Sequence, residues 1–426
     1  MFAAIILIAL IVASPMAIFI DGNIAIGIEA SIMALATVLV AHKSAPAETG
    51  LLPKLPRLAF LLATVPALWM VIQVLPLGYA HVANPVWENT QQALGHAVVG
   101  SIGIDTGAGL FGLIQYITAL AILLVTMAVT LNRSRADGVL FALLLASTIS
   151  CLPIAGLFSR LGIISDKLPD AGTVRNIGLF GVLLAFTVAI RAFERRQSSR
   201  AFSKSKLALS LVASFVSLAI CGSALVVHWT SNLGLGLAFA LAVLLTIAFI
   251  RRFEIGIWGA AAIAAIVLSV SVSVLWIRYA GRPLDLMTSF SDDDALVAIT
   301  KRILADAPWV GSGPGSFEIL ANVYQQPGDP VRVTTASTAA AKIAIELGRP
   351  MLWIAAAPIL FATAVSLRGS LRRGRDSFYP ALGAGCLIAL LIRAFADASI
   401  FAPSVSIIAA ASAGLALAQS SGKTAK

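Results

Sequence analysis

Runs of about twenty apolar residues recur along almost the whole chain, and no other feature restricts its fold as much. At about 1.5 Å per helical residue, each run is long enough to cross a hydrocarbon core roughly 30 Å thick. Charged residues make up 12% of the 426, about half the roughly 25% of a soluble domain. The mean hydropathy is +0.94. About twelve spans are expected, near 2–20, 24–41, 57–76, 110–131, 138–158, 177–192, 207–229, 232–250, 255–277, 343–367, 379–396 and 401–418. The expected fold is all-α, a polytopic transmembrane helical bundle with one large outward-facing loop between spans 9 and 10. It divides the chain into spans 1–9 at 1–277, a loop with a Gly-rich motif at 278–342, and spans 10–12 with a short tail at 343–426.

Charge sets the orientation. With a cytoplasmic N-terminus, the inner segments and the tail hold 19 of the 30 Lys and Arg residues, and the loop 78–109 holds none. Short loops rich in Lys and Arg face the cytoplasm, so both termini are expected there. A net charge of +10 then reflects orientation, and scattered basic residues do not form the face that nucleic-acid binding needs. Cys151, Cys221 and Cys386 fall inside spans and have neither disulfide nor metal spacing. The first run lacks a basic leading region and a clear cleavage site, so it reads as a retained span.

Eleven basic residues work against this orientation signal, among them Arg175, Arg278, Arg282, Arg302, Arg349 and Arg393. Guanidinium groups near loop–membrane junctions suit an anionic, lipid-linked substrate, because they bind phosphate in a bidentate manner. Solvated loop charge and snorkelling side chains are the plainer reading. Glu29 is an acid within the second span, and is either functional or shallow enough to reach water.

The polar loop carries the motif Gly311-Ser-Gly-Pro-Gly315-Ser-Phe317. It lacks the Gly-Lys-Ser/Thr ending of a nucleotide-binding loop and faces outward, so ATP is excluded. Its glycines serve a tight turn with positive φ, or Gly313 and Gly315 present backbone N–H groups to a pyrophosphate. The run Asp292–Asp294 would cap the helix that follows. Lys342 and Glu346 share one helix face; Glu346 is either an ion-pair partner or a general base. No metal site and no cofactor is expected.

Five segments belong together: ADAPWVGSGPGSFE at 305–318, KIAIELGRPMLWI at 342–354, LPLGYAHVANPVWE at 75–88, AGTVRNIGLF at 171–180 and FADASIFAPSVSIIAAASAGLALA at 395–418. Taken in chain order, they resemble the bacterial O-antigen ligase and polymerase family. The resemblance implies glycan transfer from undecaprenyl diphosphate at the outer face of the inner membrane, without metal. Arginines hold the diphosphate in such enzymes. It assigns Glu346 as the catalytic candidate and Arg175, Asn176, Arg278, Arg282, Arg302, Gly313, Gly315 and Arg349 as substrate-binding candidates. Its partners would be the lipid-linked glycan, the bilayer and other polysaccharide assembly proteins. Family ligases carry a histidine where this chain has Ser337, so polymerase is favoured over ligase. A lipid-linked glycan transporter and a catalytically degenerate assembly partner are the alternatives.

Overall fold

The computed structural model describes residues 2–20, 22–43, 57–76, 83–152, 170–198, 204–252, 269, 287–288, 290–291, 293–326, 333–372 and 376–421. Every regular element among them is a helix. In chain order these are α1 (Phe2–Ala13), α2 (Gly22–Lys43), α3 (Arg57–Val74), α4 (Val86–Leu94), α5 (Thr106–Thr130), α6 (Arg133–Cys151), α7 (Ala171–Ser198), α8 (Lys204–Val227) and α9 (Ser231–Arg252). There follow α10 (Asp294–Asp306), α11 (Phe317–Tyr324), α12 (Ala339–Glu346), α13 (Arg349–Arg372), α14 (Phe378–Ala394) and α15 (Pro403–Ser421). Eight of them are long and apolar enough to cross a membrane, and three shorter apolar helices accompany them. The chain is a multi-pass helical membrane protein. The expected span at 255–277 lies outside the described residues, Ser269 excepted.

Two helices form the centre. The apolar windows of α7 and α15 are 78% and 72% buried, against 22% for α5 and α13. Small side chains bring α15 close to its neighbours. A Cβ on Gly414 would stand 2.5 Å from the Leu123 carbonyl of α5, and one on Gly383 of α14 would stand 2.0 Å from Ala416 Cβ. Without a hydrophobic drive between helices in lipid, such close backbone approach is what dispersion can exploit. Ser147, Thr130 and Thr187 bond carbonyls four residues back in their own helices, so burying them leaves no hydroxyl unsatisfied. The outer face of α8 carries exposed Leu209, Val212 and Phe215, as a lipid-facing surface requires.

One boundary moved. The expected span 343–367 is interrupted: α12 ends at Glu346, Gly348 takes φ +101°, and α13 starts at Arg349. Glu346 therefore sits at a helix break and not within a span.

The end of the bundle where α7 finishes is closed by an ionic network that crosses three helices. Asp137 of α6 accepts from Arg191 Nε at 2.9 Å, from Arg195 Nη1 at 2.6 Å and Nη2 at 3.0 Å, and from the Tyr379 hydroxyl of α14. Arg195 also lies 3.7 Å from Asp376, which pairs with Arg133 at 2.8 Å. Removing one partner of a buried pair leaves an uncompensated charge. Asp137→Ala is therefore expected to lose on the order of 3 kcal/mol of unfolding free energy in detergent solution. A loss below about 1 kcal/mol, the level of a solvated pair, would show that this network does not clamp the helices.

Candidate functional site

At the opposite end, the Gly-rich segment is tied into the protein by its own backbone. Ser312 N donates to the Ile345 carbonyl and Gly313 N to the Glu346 carbonyl, both at 2.9 Å. Gly311 N donates to the Pro308 carbonyl at 3.0 Å, and the Ser312 carbonyl accepts from Ile104 N at 3.0 Å. Gln73 Nε2 reaches the Val310 carbonyl at 2.8 Å and the Glu346 carbonyl at 3.1 Å, and Trp69 Nε1 reaches the Leu347 carbonyl at 2.8 Å. Four stretches thus meet: the last turn or so of α3, the segment before α5, the Gly-rich turn, and the break between α12 and α13.

The glycines are what allow the meeting. Gly311, Gly313 and Gly315 have φ of +81°, +94° and +77°, a region that costs other residues a kilocalorie or more. A Cβ on Gly313 would stand 2.4 Å from Gly103 Cα. The backbone donors of this turn are spent on the chain itself, so Gly313 and Gly315 act here as packing residues and form no open anion cradle.

The Glu346 carboxylate faces the start of α11, where the N–H groups of Gly315 and Phe317 point at it. Lys342 Nζ lies 4.0 Å away and also 5.5 Å from the Phe401 ring centroid. The Glu346 residue is only 7% exposed, and its Oε1 has no hydrogen-bond partner among the described residues. Burial pushes this carboxyl above the ordinary carboxylate range, against Lys342 and the two N–H groups, which pull it down.

A charged group sits beside this knot, where α7 starts and α14 ends. Arg393 Nε donates to Asn176 Oδ1 at 2.8 Å, and Arg393 Nη2 donates to Asp397 Oδ2. Arg175 Nη2 lies 3.5 Å from the same Asp397 oxygen. Asp397 Oδ1 is held by the Ser399 backbone N–H at 2.9 Å and by its hydroxyl. Gly172 makes room for this turn, because a Cβ there would stand 2.0 Å from Ser399 Oγ. Two guanidinium groups, those of Arg175 and Arg393, face the one carboxylate of Asp397. Arg393 is buried, with its side chain 3% exposed, whereas that of Arg175 is 22% exposed and its contact with Asp397 is long. Arg175 Nε and Asn176 Nδ2 are buried and have no partner among the described residues. An unspent buried donor costs free energy that a ligand acceptor would recover. An anion arriving at Arg175 meets donors, positive charge and limited water.

The other residues expected from the sequence are placed differently. Arg302 Nη1 donates to the Tyr324 carbonyl at 2.8 Å, closing the end of α11. Arg349 Nη2 donates to the Leu304 carbonyl at 3.0 Å, and its guanidinium lies 5.5 Å from the Trp309 ring centroid. Both brace helices. Arg278 and Arg282 lie outside the described residues. Asp293 caps α10, accepting from Leu296 N at 3.0 Å. Ser337 is buried and its backbone N–H donates to Thr300 Oγ1 at 3.1 Å. Arg393 is the site residue that the sequence grouped with the other outward basic residues but did not single out. Its signal was a lone arginine at the end of an apolar run with Asp397 four residues on.

A scan of protein-family models finds none that matches this chain, and a search of curated proteins finds no match either.

Gly313→Ala is expected to abolish the monodisperse folded species in size-exclusion chromatography, because both φ and Gly103 oppose it. Gly222→Ala, where a Cβ meets nothing within 4 Å, should leave that species unchanged. An acid with a raised folded pKa gives stability that is present below its unfolded value and lost as pH rises through the folded one. Glu346→Gln should therefore gain stability relative to the native chain as pH rises from about 4 to about 9. A difference in unfolding midpoint that stays constant, or shifts in favour of the native chain, over that interval would contradict a carboxyl governed by burial.

Proposed function

We propose that this chain is a glycosyltransferase of the bacterial inner membrane. It transfers a glycan from undecaprenyl diphosphate at the outward face, and does so as a polymerase in preference to a ligase. In this reading about twelve helices span the membrane, both termini are cytoplasmic, and residues 278–342 form the large outer loop. The observation that carries it is the group around Arg175: a partly exposed guanidinium with a long contact to Asp397, an unspent buried Nε, and the unspent Asn176 Nδ2 next to it. That is the chemistry a diphosphate leaving group requires, since charge develops on it as the glycosidic bond breaks.

The acceptor hydroxyl attacks the anomeric carbon from the face opposite the diphosphate and loses a proton. The carbon–oxygen bond to phosphate breaks, and the electron pair leaves with the diphosphate. Arg175 takes that charge, with Arg278 and Arg282 assigned to help from the family resemblance. Glu346 is the base this chain offers. A carboxyl whose pKa is raised by burial is a stronger base than an ordinary carboxylate, and its Oε1 has no hydrogen-bond partner among the described residues. Family ligases carry histidine where this chain has Ser337, and on that resemblance the polymerase is favoured over the ligase.

Replacing Arg175 by Ala should abolish long-chain surface glycan on a gel while the protein level stays unchanged. A deletion strain with an unaltered length profile would end the polymerase reading. Full-length lipid-linked polymer accumulating in that strain would indicate a ligase instead, and uptake of labelled solute by proteoliposomes a transporter.

A further inference from the structure

Trp309 and Val310, just ahead of the Gly-rich turn, are large apolar residues left 69% and 49% exposed. Two separate contacts fix their level along the bundle. The Trp309 carbonyl lies against Gly348, where a Cβ would stand 2.2 Å from it, and its ring lies 5.5 Å from the guanidinium of Arg349, the first residue of α13. The Val310 carbonyl accepts from Gln73 at 2.8 Å, and Gln73 is the penultimate residue of α3. The pair is therefore level with the ends of two apolar helices.

It also faces the lipid side. Arg349 and Trp353 are four residues apart and share one face of α13, and Trp353 is 54% exposed on that face. Trp309, Arg349 and Trp353 thus form one stripe running from the turn onto the wall of a spanning helix. An indole beside a guanidinium at such a boundary suits the headgroup layer, which solvates ring, stem and charge at once. In water the same residues would keep their apolar area wetted, at roughly 25 cal/mol per Å².

We propose that the Trp309–Val310 edge is seated in the headgroup layer of the bilayer, so that the partner of this surface is phospholipid. The Gly-rich turn then lies at the membrane surface, at the height of a lipid-borne phosphate, and is not raised above it. This inference rests on the multi-pass helical fold and not on the glycosyl-transfer reading.

The test is a depth measurement on the full chain in phosphatidylcholine–phosphatidylglycerol vesicles. Val310→Cys is labelled with an environment-sensitive nitrobenzoxadiazole fluorophore; the native chain, whose cysteines at 151, 221 and 386 are buried, gives the labelling blank. Leu360→Cys, exposed on α13 about 16 Å beyond Arg349, reports the bilayer interior, and Ala295→Cys, exposed on α10, reports water. A nitroxide at carbon 5 of the acyl chain should quench the label at 310 at least about twofold more than the label at 295, with iodide on both sides quenching it less. Quenching by iodide alone overturns the proposal. So does protection from both quenchers, which would mean that protein, such as a second copy of the chain, covers the edge. If Val310→Cys fails to give a monodisperse species, brominated-lipid quenching of the native chain is compared with Trp309→Phe. Loss of part of the quenching supports the seat, and an unchanged value overturns it.

Discussion

A guanidinium that cannot reach water has to be paired, and helix α7 answers that requirement at both of its ends. At its start, Asn176 meets Arg393 of α14 and Arg175 faces Asp397; at its finish, Arg191 and Arg195 meet Asp137 of α6 and, through it, Tyr379 of α14. The same two helices are joined at both ends, about 22 Å apart over the fifteen residues from 176 to 191. A slide of one turn would leave charges unpaired at both places, several kilocalories per mole at each. Register is therefore fixed electrostatically, while packing sets the distance: Gly181 lets Cys221 of α8 approach to where a Cβ would lie 2.4 Å from its sulfur. Among the arginines paired at the two ends of α7, Arg175 makes the longest contact with its nearest carboxylate, 3.5 Å.

Much of the frame was legible in the sequence because lipid imposes a one-dimensional rule. Runs at 207–229 and 232–250 became α8 and α9 with ends shifted by a few residues, and Asp293 capped α10 as its place before an amphipathic run predicts. The opposite-end network was missed for a physical reason. Arg191 and Arg195 look like the orientation charges of an inner loop, and Asp137 like the last loop residue before a span. Hydropathy registers charge as an interruption, so it began one span just after Asp137 and ended the other at 192, short of Arg195. The break at Leu347–Gly348 was hidden in the converse way: Ile343 to Ile354 is apolar enough to read as continuous, and one positive-φ glycine is a small mark in it.

The Gly-rich turn shows how little a local motif says about where its donors go. Glycine spacing gives positive φ and exposed N–H groups, the same ingredients that make an anion cradle. Here the acceptors come from Ile345 and Glu346 and the close neighbour is Gly103, some two hundred residues away. Nothing within the motif distinguishes a turn that binds phosphate from one that binds its own chain. The unspent buried donors lie elsewhere, on Arg175 and Asn176.

The two halves of the site are nonetheless one packed unit. Lys342 lies beside Glu346 and over Phe401; Phe401 ends the short 3₁₀ turn Ala398–Phe401, and Asp397 caps that turn through Ser399. Gln115 of α5 donates to the Phe401 carbonyl from the other side. A carboxylate that pairs with two arginines at one end of this turn is thus four residues from the ring against which the Glu346 ion pair is packed. Neutralising Arg175 with an anion weakens its hold on Asp397, and Asp397 is the cap that keeps the turn in place. The group that would bind a leaving diphosphate and the acid that would receive a proton are therefore linked by side-chain contacts through a single helical turn, so the geometry of one constrains the geometry of the other.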